Sequence, residues 1–163
     1  REFDRLTDLN KDIVIIATTN LFKNFDKALS RRFDAVINFN RYTKKDLIEI
    51  AEFFFSAFSK NFKNISKDMR LFRNILNVAE HLPYPGELKN IIKTSLAFSD
   101  ENNAFDYLRR LYNSVIGNLE QTSLEQLYAK GFTVREIEKL TGDSKSTVAR
   151  KLNDDIRGKE NGE

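Results

Sequence analysis

The chain has 163 residues, of which 40% are hydrophobic and 31% are charged, and its formal net charge is +3, so any nucleic-acid site must be a local patch. Cysteine is absent and His81 is the single histidine, which excludes disulfide scaffolds and thiolate zinc sites and leads us to predict no bound metal. No apolar run approaches the roughly 20 residues of a membrane helix, and residues 1–4 lack the pattern of a signal peptide, so we expect a cytoplasmic protein with no membrane partner.

The first part of the chain has the pattern of an α/β fold. Residues 12–17 form a continuous apolar run rich in β-branched side chains, and residues 35–39 form a second one. Continuous hydrophobicity indicates strands that are buried on both faces, as in a parallel sheet. The link between the runs is long enough for a short helix around residues 26–31. We therefore predict a small α/β piece over residues 1–42.

From Thr43 onward, helical periodicity replaces the strand pattern. Thr43 with an acidic residue three positions later is typical of a capping box, and we expect it to open the first helix. Ser66 is the predicted cap of a second helix, and Pro85 predicts the first turn of a third. A fourth helix runs up to Gly117. The expected fold class is therefore mainly α with a small α/β piece.

The last part of the chain, residues 118–155, reads as a separate group of three short helices. Thr133 caps the second of them, Gly142 allows a tight turn, and Ser144 caps the third. Residues 156–163 are predicted to be a flexible tail. The residues expected to form the core of this group are Leu127, Ile137, Leu140, Val148 and Leu152.

Three short strings in the first part of the chain carry a family resemblance. V-I-I-A-T-T-N, F-D-K-A-L and R-R-F-D follow one another between residues 14 and 34. Their order resembles the second half of a AAA+ ATPase core, in which a buried strand ends in a polar sensor-1 residue and R-F-D carries an arginine finger. The resemblance implies that Asn20 orients the water that attacks the γ-phosphate. It implies that Arg32 reaches the ATP of a neighbouring subunit, with Arg31 as a second candidate.

The helices from residue 43 to about 117 are similar to the small helical lid and connecting helix that follow AAA+ cores. The string P-G-E-L-K resembles the sensor-2 motif at the start of the lid's third helix. The resemblance implies that Pro85, Gly86 and Lys89 lie at the nucleotide. Lysine stands where the family has arginine and cannot bind in bidentate fashion, so a solvent-facing Lys89 is the alternative.

The same resemblance implies ATP and Mg²⁺ as cofactors of the whole protein and self-association into a ring or filament. The phosphate loop G-x-x-x-x-G-K-[ST] is absent from the sequence. We expect that it lies outside this chain together with the family's magnesium-holding Asp-Glu pair. The chain then reads as a C-terminal fragment that does not hydrolyse ATP alone.

The first predicted lid helix is unusually aromatic. It contains Phe53, Phe54 and Phe55 in succession, followed by Phe58 and Phe62, which is more than one helix face needs. One interpretation is a large lid core. The other is that Phe53 or Phe55 packs on an adjacent subunit.

Residues 124–152 resemble a helix-turn-helix of the resolvase or invertase type. The strings T-V-R-E-I and L-T-G-D-S-K-S-T-V-A-R-K-L carry the likeness. In such units the N-terminal part of the recognition helix enters the major groove of DNA. The alternative is a small helical bundle that binds protein. The residues that the resemblance implies in DNA binding are Ser144, Lys145, Ser146, Thr147, Arg150 and Lys151.

Together these resemblances imply the C-terminal portion of a DNA-associated AAA+ ATPase, serving a mobile element, replication or transcriptional activation. DNA would be its partner through the helix-turn-helix. Two alternatives stay open. One is a non-enzymatic DNA-binding regulator with a degenerate AAA+ scaffold, and the other is a AAA+ factor that remodels proteins.

Overall fold

The structure is a computed structural model that describes residues 14–21, 27–39 and 41–160, with the side chains of Leu29 and residues 155–160 left out. The chain divides into two units, Arg1–Asn38 and Phe39–Glu163. The described residues are mainly helical. None of the helices within these ranges has both the length and the apolar character that crossing a bilayer requires.

In the first unit, the described residues contain one short helix, α1 (Lys27–Ser30), at the place predicted for one. The strands predicted over residues 12–17 and 35–39 are not seen among the described residues, because residues 14–17 and 35–39 are irregular and Val14 and Ile16 are each 84% exposed. Residues 12 and 13 lie outside the described residues. A parallel strand is stable only when neighbours pair with its edges and other layers cover its faces. The described residues of this unit form no strand that could pair with these runs, so the predicted α/β piece is absent there.

The second unit is built from a succession of helices with short connections. Its helices are α2 (Lys44–Phe58), α3 (Met69–Val78), α4 (Pro85–Ala97), α5 (Asp106–Val115), α6 (Leu124–Ala129), α7 (Val134–Thr141) and α8 (Lys145–Glu160). Two 3₁₀ turns, Ser59–Asn61 and Leu119–Gln121, lie between them. Helices α2–α5 form a bundle, and α6–α8 follow it.

Local capping chemistry fixes where α2 and α3 begin. The Thr43 hydroxyl accepts the Asp46 N–H at 3.2 Å while the Asp46 carboxylate accepts the Thr43 N–H at 2.8 Å, which confirms the predicted capping box. The predicted cap of α3 is wrong. Asp68 rather than Ser66 caps it, with the Asp68 carboxylate accepting the Leu71 N–H at 3.0 Å. Both residue types are good caps, so local sequence does not discriminate between them.

Three stacked aromatic rings form the centre of the bundle. The ring centroid of Phe55 lies 4.6 Å from that of Phe72 and 5.3 Å from that of Tyr107. The Tyr107 hydroxyl donates to the Ser66 carbonyl at 3.0 Å, so Ser66 is held by its backbone instead of capping α3. Burial raises the pKa of Tyr107 to about 12, so its hydroxyl stays protonated and available as a donor.

The aromatic run of α2 separates into a buried and an exposed member. Phe55 is 1% exposed and Phe53 is 69% exposed. Phe54 stacks on Phe58 with ring centroids 5.9 Å apart, and both pack against the core. Phe55 therefore belongs to the core, and the prediction that it contacts an adjacent subunit is wrong. Phe53 remains a candidate for such a contact.

The group α6–α8 continues the core of the bundle. Helix α7 contacts α5, and the Phe132 ring lies 6.0 Å from that of Tyr112 on α5. Both side chains belong to one apolar cluster that runs through the bundle and the last three helices. The predicted core positions are confirmed, since each is at most 5% exposed: Leu127, Ile137, Leu140, Val148 and Leu152.

Candidate nucleic-acid interface

Helices α7 and α8 are joined by a turn of three residues. Gly142 ends α7 with φ at +80° in the left-handed region, and its N–H donates to the Glu138 carbonyl at 2.9 Å. Asp143 and Ser144 complete the turn before α8 begins. A side chain with a Cβ is disfavoured at such a φ, so Gly142 makes the reversal possible, as predicted.

The effect of this turn can be measured by substituting two glycines. Gly142→Ala is expected to lower the free energy of unfolding by about 1–2 kcal/mol, because alanine is strained in the left-handed region. Gly86→Ala is the matched control, since no atom lies within 4 Å of the added Cβ in α4. It should raise the free energy of unfolding by about 0.4–1 kcal/mol. Urea denaturation measures both values, and effects of the same sign would contradict the role given to Gly142.

Hydroxyl groups cluster at the N-terminus of α8. The Ser144 Oγ accepts the Thr147 N–H at 3.3 Å, and its carbonyl accepts the Val148 N–H at 2.9 Å, which confirms Ser144 as the cap. The same Oγ lies 3.0 Å from the Ser146 hydroxyl and 2.9 Å from the Thr147 hydroxyl. The structure therefore brings three predicted polar contact residues together at the end of the helix that carries a partial positive charge.

The outward face of α8 carries polar and cationic side chains. Val148 and Leu152 are buried, and α8 continues to Glu160, so residues 156–160 of the predicted flexible tail are helical. Ser146, Arg150 and Asn153 recur at helical spacing on the opposite side and are exposed. Asn153 was not among the predicted contact residues, although this spacing identifies it.

Two carboxylates lie beside the predicted cationic residues. Glu138 of α7 accepts the Lys145 backbone N–H at 3.1 Å. The Lys151 ammonium lies 3.3 Å from an Asp143 carboxylate oxygen. The contact to Glu138 was missed, because it joins residues on different helices. These carboxylates lower the positive potential near Lys145 and Lys151.

The residues implied in sensing nucleotide lie in the first unit and in α4. Asn20, Arg31 and Arg32 are exposed, and Asn20 lies in a bend rather than at the end of a strand. Pro85 is the first residue of α4, as predicted, and Gly86 is the second. Lys89 is exposed on that helix, which agrees with the alternative that its side chain faces solvent.

These residues do not make a complete site for ATP and magnesium. The phosphate-loop sequence is absent, and Gly86 has open space rather than a close contact where its Cβ would be. Among the residues that the structure describes, no group of three or more carboxylate or imidazole side chains is placed to hold a metal ion. The described residues therefore do not form a nucleotide site by themselves.

Comparisons of the chain with protein-family models, with curated proteins and with solved structures found no match.

Proposed function

We propose that the α7–α8 pair is a helix-turn-helix that binds duplex DNA, within the C-terminal part of a DNA-associated AAA+ ATPase. One observation supports DNA binding most strongly. Helix α8 buries its apolar side, exposes a polar and cationic side, and follows a left-handed glycine turn. That combination presents a helix N-terminus and a row of hydrogen-bonding side chains to the same partner.

The chemistry of the exposed face suits the major groove of DNA. Arg150 can donate two hydrogen bonds to a guanine edge, and Asn153 can pair with an adenine edge. The hydroxyls of Ser144, Ser146 and Thr147 and the Lys145 ammonium are donors for phosphate oxygens near the helix N-terminus. The Asp143 carboxylate partly neutralises the Lys151 ammonium, so we expect Lys151 to contribute less to DNA binding.

A double substitution on α8 tests DNA binding. Lys145→Ala with Arg150→Ala is expected to weaken binding to duplex DNA roughly 10–100-fold, because a base contact and a phosphate contact are lost. Among the described side chains of α8, the three exposed cations predict a slope of about −3 in a plot of log K against log salt, and the variant should bring the slope to about −1. Fluorescence anisotropy at several salt concentrations measures both quantities.

The matched control removes two charges from the bundle instead. Lys60→Ala with Lys63→Ala changes the net charge by the same amount, and both lysines are exposed. It should leave affinity and slope close to those of the parent chain. If the two double variants behave alike, binding follows net charge, and α8 is not the recognition helix.

The proposed AAA+ role is supported by the order of sequence motifs and by exposure. An arginine finger must reach a neighbouring molecule, and Arg31 and Arg32 are both exposed. The helices that follow have the order of a lid. In this proposal Asn20 acts as sensor 1 and Arg32 as the arginine finger in a ring or filament. Lys89 acts as sensor 2, and ATP and Mg²⁺ are cofactors of the whole assembly.

A second candidate is a non-enzymatic DNA-binding regulator with a degenerate AAA+ scaffold. The irregular, exposed residues 14–17 and 35–39 favour it, because a working sensor-1 residue needs a strand to hold it. ATP turnover by the full-length assembly distinguishes the two candidates. A AAA+ factor that remodels proteins would show neither specific DNA affinity nor the salt slope expected above.

A further inference from the structure

Helix α7 is fastened to α3 by an ion pair at a helix cap. The Lys139 ammonium donates to a carboxylate oxygen of Asp68 at 2.6 Å, and the two side chains are only 32% and 18% exposed. The other carboxylate oxygen of Asp68 accepts the Leu71 N–H and caps α3. Lys139 therefore bonds to a carboxylate that is already fixed by a helix, and not to a mobile surface side chain.

Several further contacts hold this ion pair in place. The Asp68 N–H donates to the Tyr107 hydroxyl at 3.2 Å, and the Lys139 ammonium lies 5.0 Å from the centre of the Phe105 ring. Partial burial raises the pKa of the Asp68 carboxyl, but the Leu71 N–H and the Lys139 ammonium lower it more, so the pKa lies below its usual value. The carboxylate therefore stays charged at neutral pH.

A second contact lies one turn earlier on the same face of α7. Glu136 is 6% exposed, and its Oε2 accepts the Thr133 N–H at 2.8 Å and the Thr133 hydroxyl at 2.9 Å. The same oxygen lies 3.5 Å from the Asn74 amide of α3. The other oxygen lies 3.8 Å from the guanidinium of Arg70, also of α3. Glu136 thus caps α7 and contacts α3 at once.

We propose that these contacts form a polar clasp that positions α8 by fixing α7 on α3. The clasp consists of Asp68, Asn74, Glu136 and Lys139. Because the glycine turn at Gly142 ties α8 to α7, the direction of α8 is set relative to the bundle. The bundle and the last three helices then move together as one rigid body. The inference rests on the proposed function only where it takes α8 as the DNA-contacting helix.

Apolar contact alone does not fix the orientation of α7 on α3. The Tyr112–Phe132 contact and the shared core draw the helices together, but apolar attraction has no preferred direction. A hydrogen-bonded ion pair at a helix cap has a defined geometry, and Glu136 supplies a second point one turn away. Two points along α7 prevent it from turning on α3. Lys139 is thus a positioning residue, acting through α7.

A distance measurement tests the rigid connection without DNA. The sequence has no cysteine, so Lys93→Cys on α4 and Asp154→Cys on α8 allow two spin labels to be placed specifically at exposed sites. Pulsed electron resonance should give one narrow distance distribution. Lys139→Met should broaden it, and Lys139→Arg should restore it by keeping the charge. Asp68→Asn should broaden it as well, while keeping a good cap for α3.

Two outcomes of this measurement overturn the proposal. A broad distribution in the labelled parent chain would mean that α8 moves independently of the bundle. A distribution in Lys139→Met and Asp68→Asn as narrow as in the parent would mean that apolar packing alone sets the orientation. Circular dichroism shows whether each variant is folded. If Lys139→Met does not fold, Asp68→Asn still tests the proposal.

Binding to duplex DNA supplies the functional readout. If the freed α8 holds the binding orientation about one fifth of the time, Lys139→Met weakens binding roughly fivefold. The salt slope should not change, because Lys139 does not contact phosphate, and Lys139→Arg should restore the affinity. A slope lowered by about one would make Lys139 a direct phosphate contact and overturn its positioning role. If the parent chain binds no DNA, the proposed function fails, while the distance measurement still decides the clasp.

Discussion

Replacing Phe55 with alanine is expected to lower the free energy of unfolding by about 3–5 kcal/mol, because it leaves a cavity in the aromatic stack of the bundle. The lost ring contacts Phe72 and Tyr107 at centroid distances of 4.6 and 5.3 Å. Urea denaturation followed by circular dichroism measures the change. Since natural domains are stable by about 5–15 kcal/mol, this one substitution should leave a measurable unfolded fraction under mild conditions.

The matched control lies two residues earlier on the same helix. Phe53→Ala removes the same number of atoms from a side chain that is exposed, so its effect should stay within about 0.5 kcal/mol. A large loss of stability in Phe53→Ala would show that its ring is covered in solution. If that loss depends on protein concentration, the covering surface is a second copy of the chain, which is the subunit contact predicted for Phe53.

Replacing Arg32 with alanine is expected to reduce ATP turnover by the full-length assembly about 10³-fold, because an arginine finger stabilises charge that develops in phosphoryl transfer. Nucleotide binding should be nearly unchanged, since the finger acts mainly in the transition state. Turnover is measured by phosphate release, and binding by the fluorescence of a labelled nucleotide.

Arg31→Ala is the internal control for this assignment, because the two arginines are adjacent and both exposed. If Arg31→Ala abolishes turnover and Arg32→Ala does not, the finger is Arg31. Unchanged turnover in both variants would remove the arginine-finger role from this chain. Turnover by the isolated chain would contradict the expectation that the catalytic loop lies elsewhere.

Features that depend on a few neighbouring residues were predicted well from the sequence. The capping box at Thr43, the cap at Ser144 and the left-handed turn at Gly142 all match the structure. Each is decided by backbone donors within one turn of the helix, so its cause lies in the local sequence. The buried positions of α6–α8 were also predicted, since helical periodicity identifies the inward face.

Features that depend on distant residues could not be predicted. Lys139 and Asp68 are 71 positions apart, and nothing in either local sequence indicates that they meet. The proximity of Glu138 to the start of α8 likewise depends on how two helices are joined. The strand predicted over residues 12–17 is not seen in its described part, residues 14–17, for a related reason. Their hydrophobicity indicates burial, but burial requires partners that the described residues do not provide.

The division of α8 into an anchored and an outward side has an evolutionary consequence. Val148 and Leu152 carry the packing, while Arg150 and Asn153 lie in solvent and contribute little to folding. Substitutions at the outward positions should change stability by no more than about 0.5 kcal/mol. Mutation can therefore change the chemistry of the outward side by single steps while the chain stays folded.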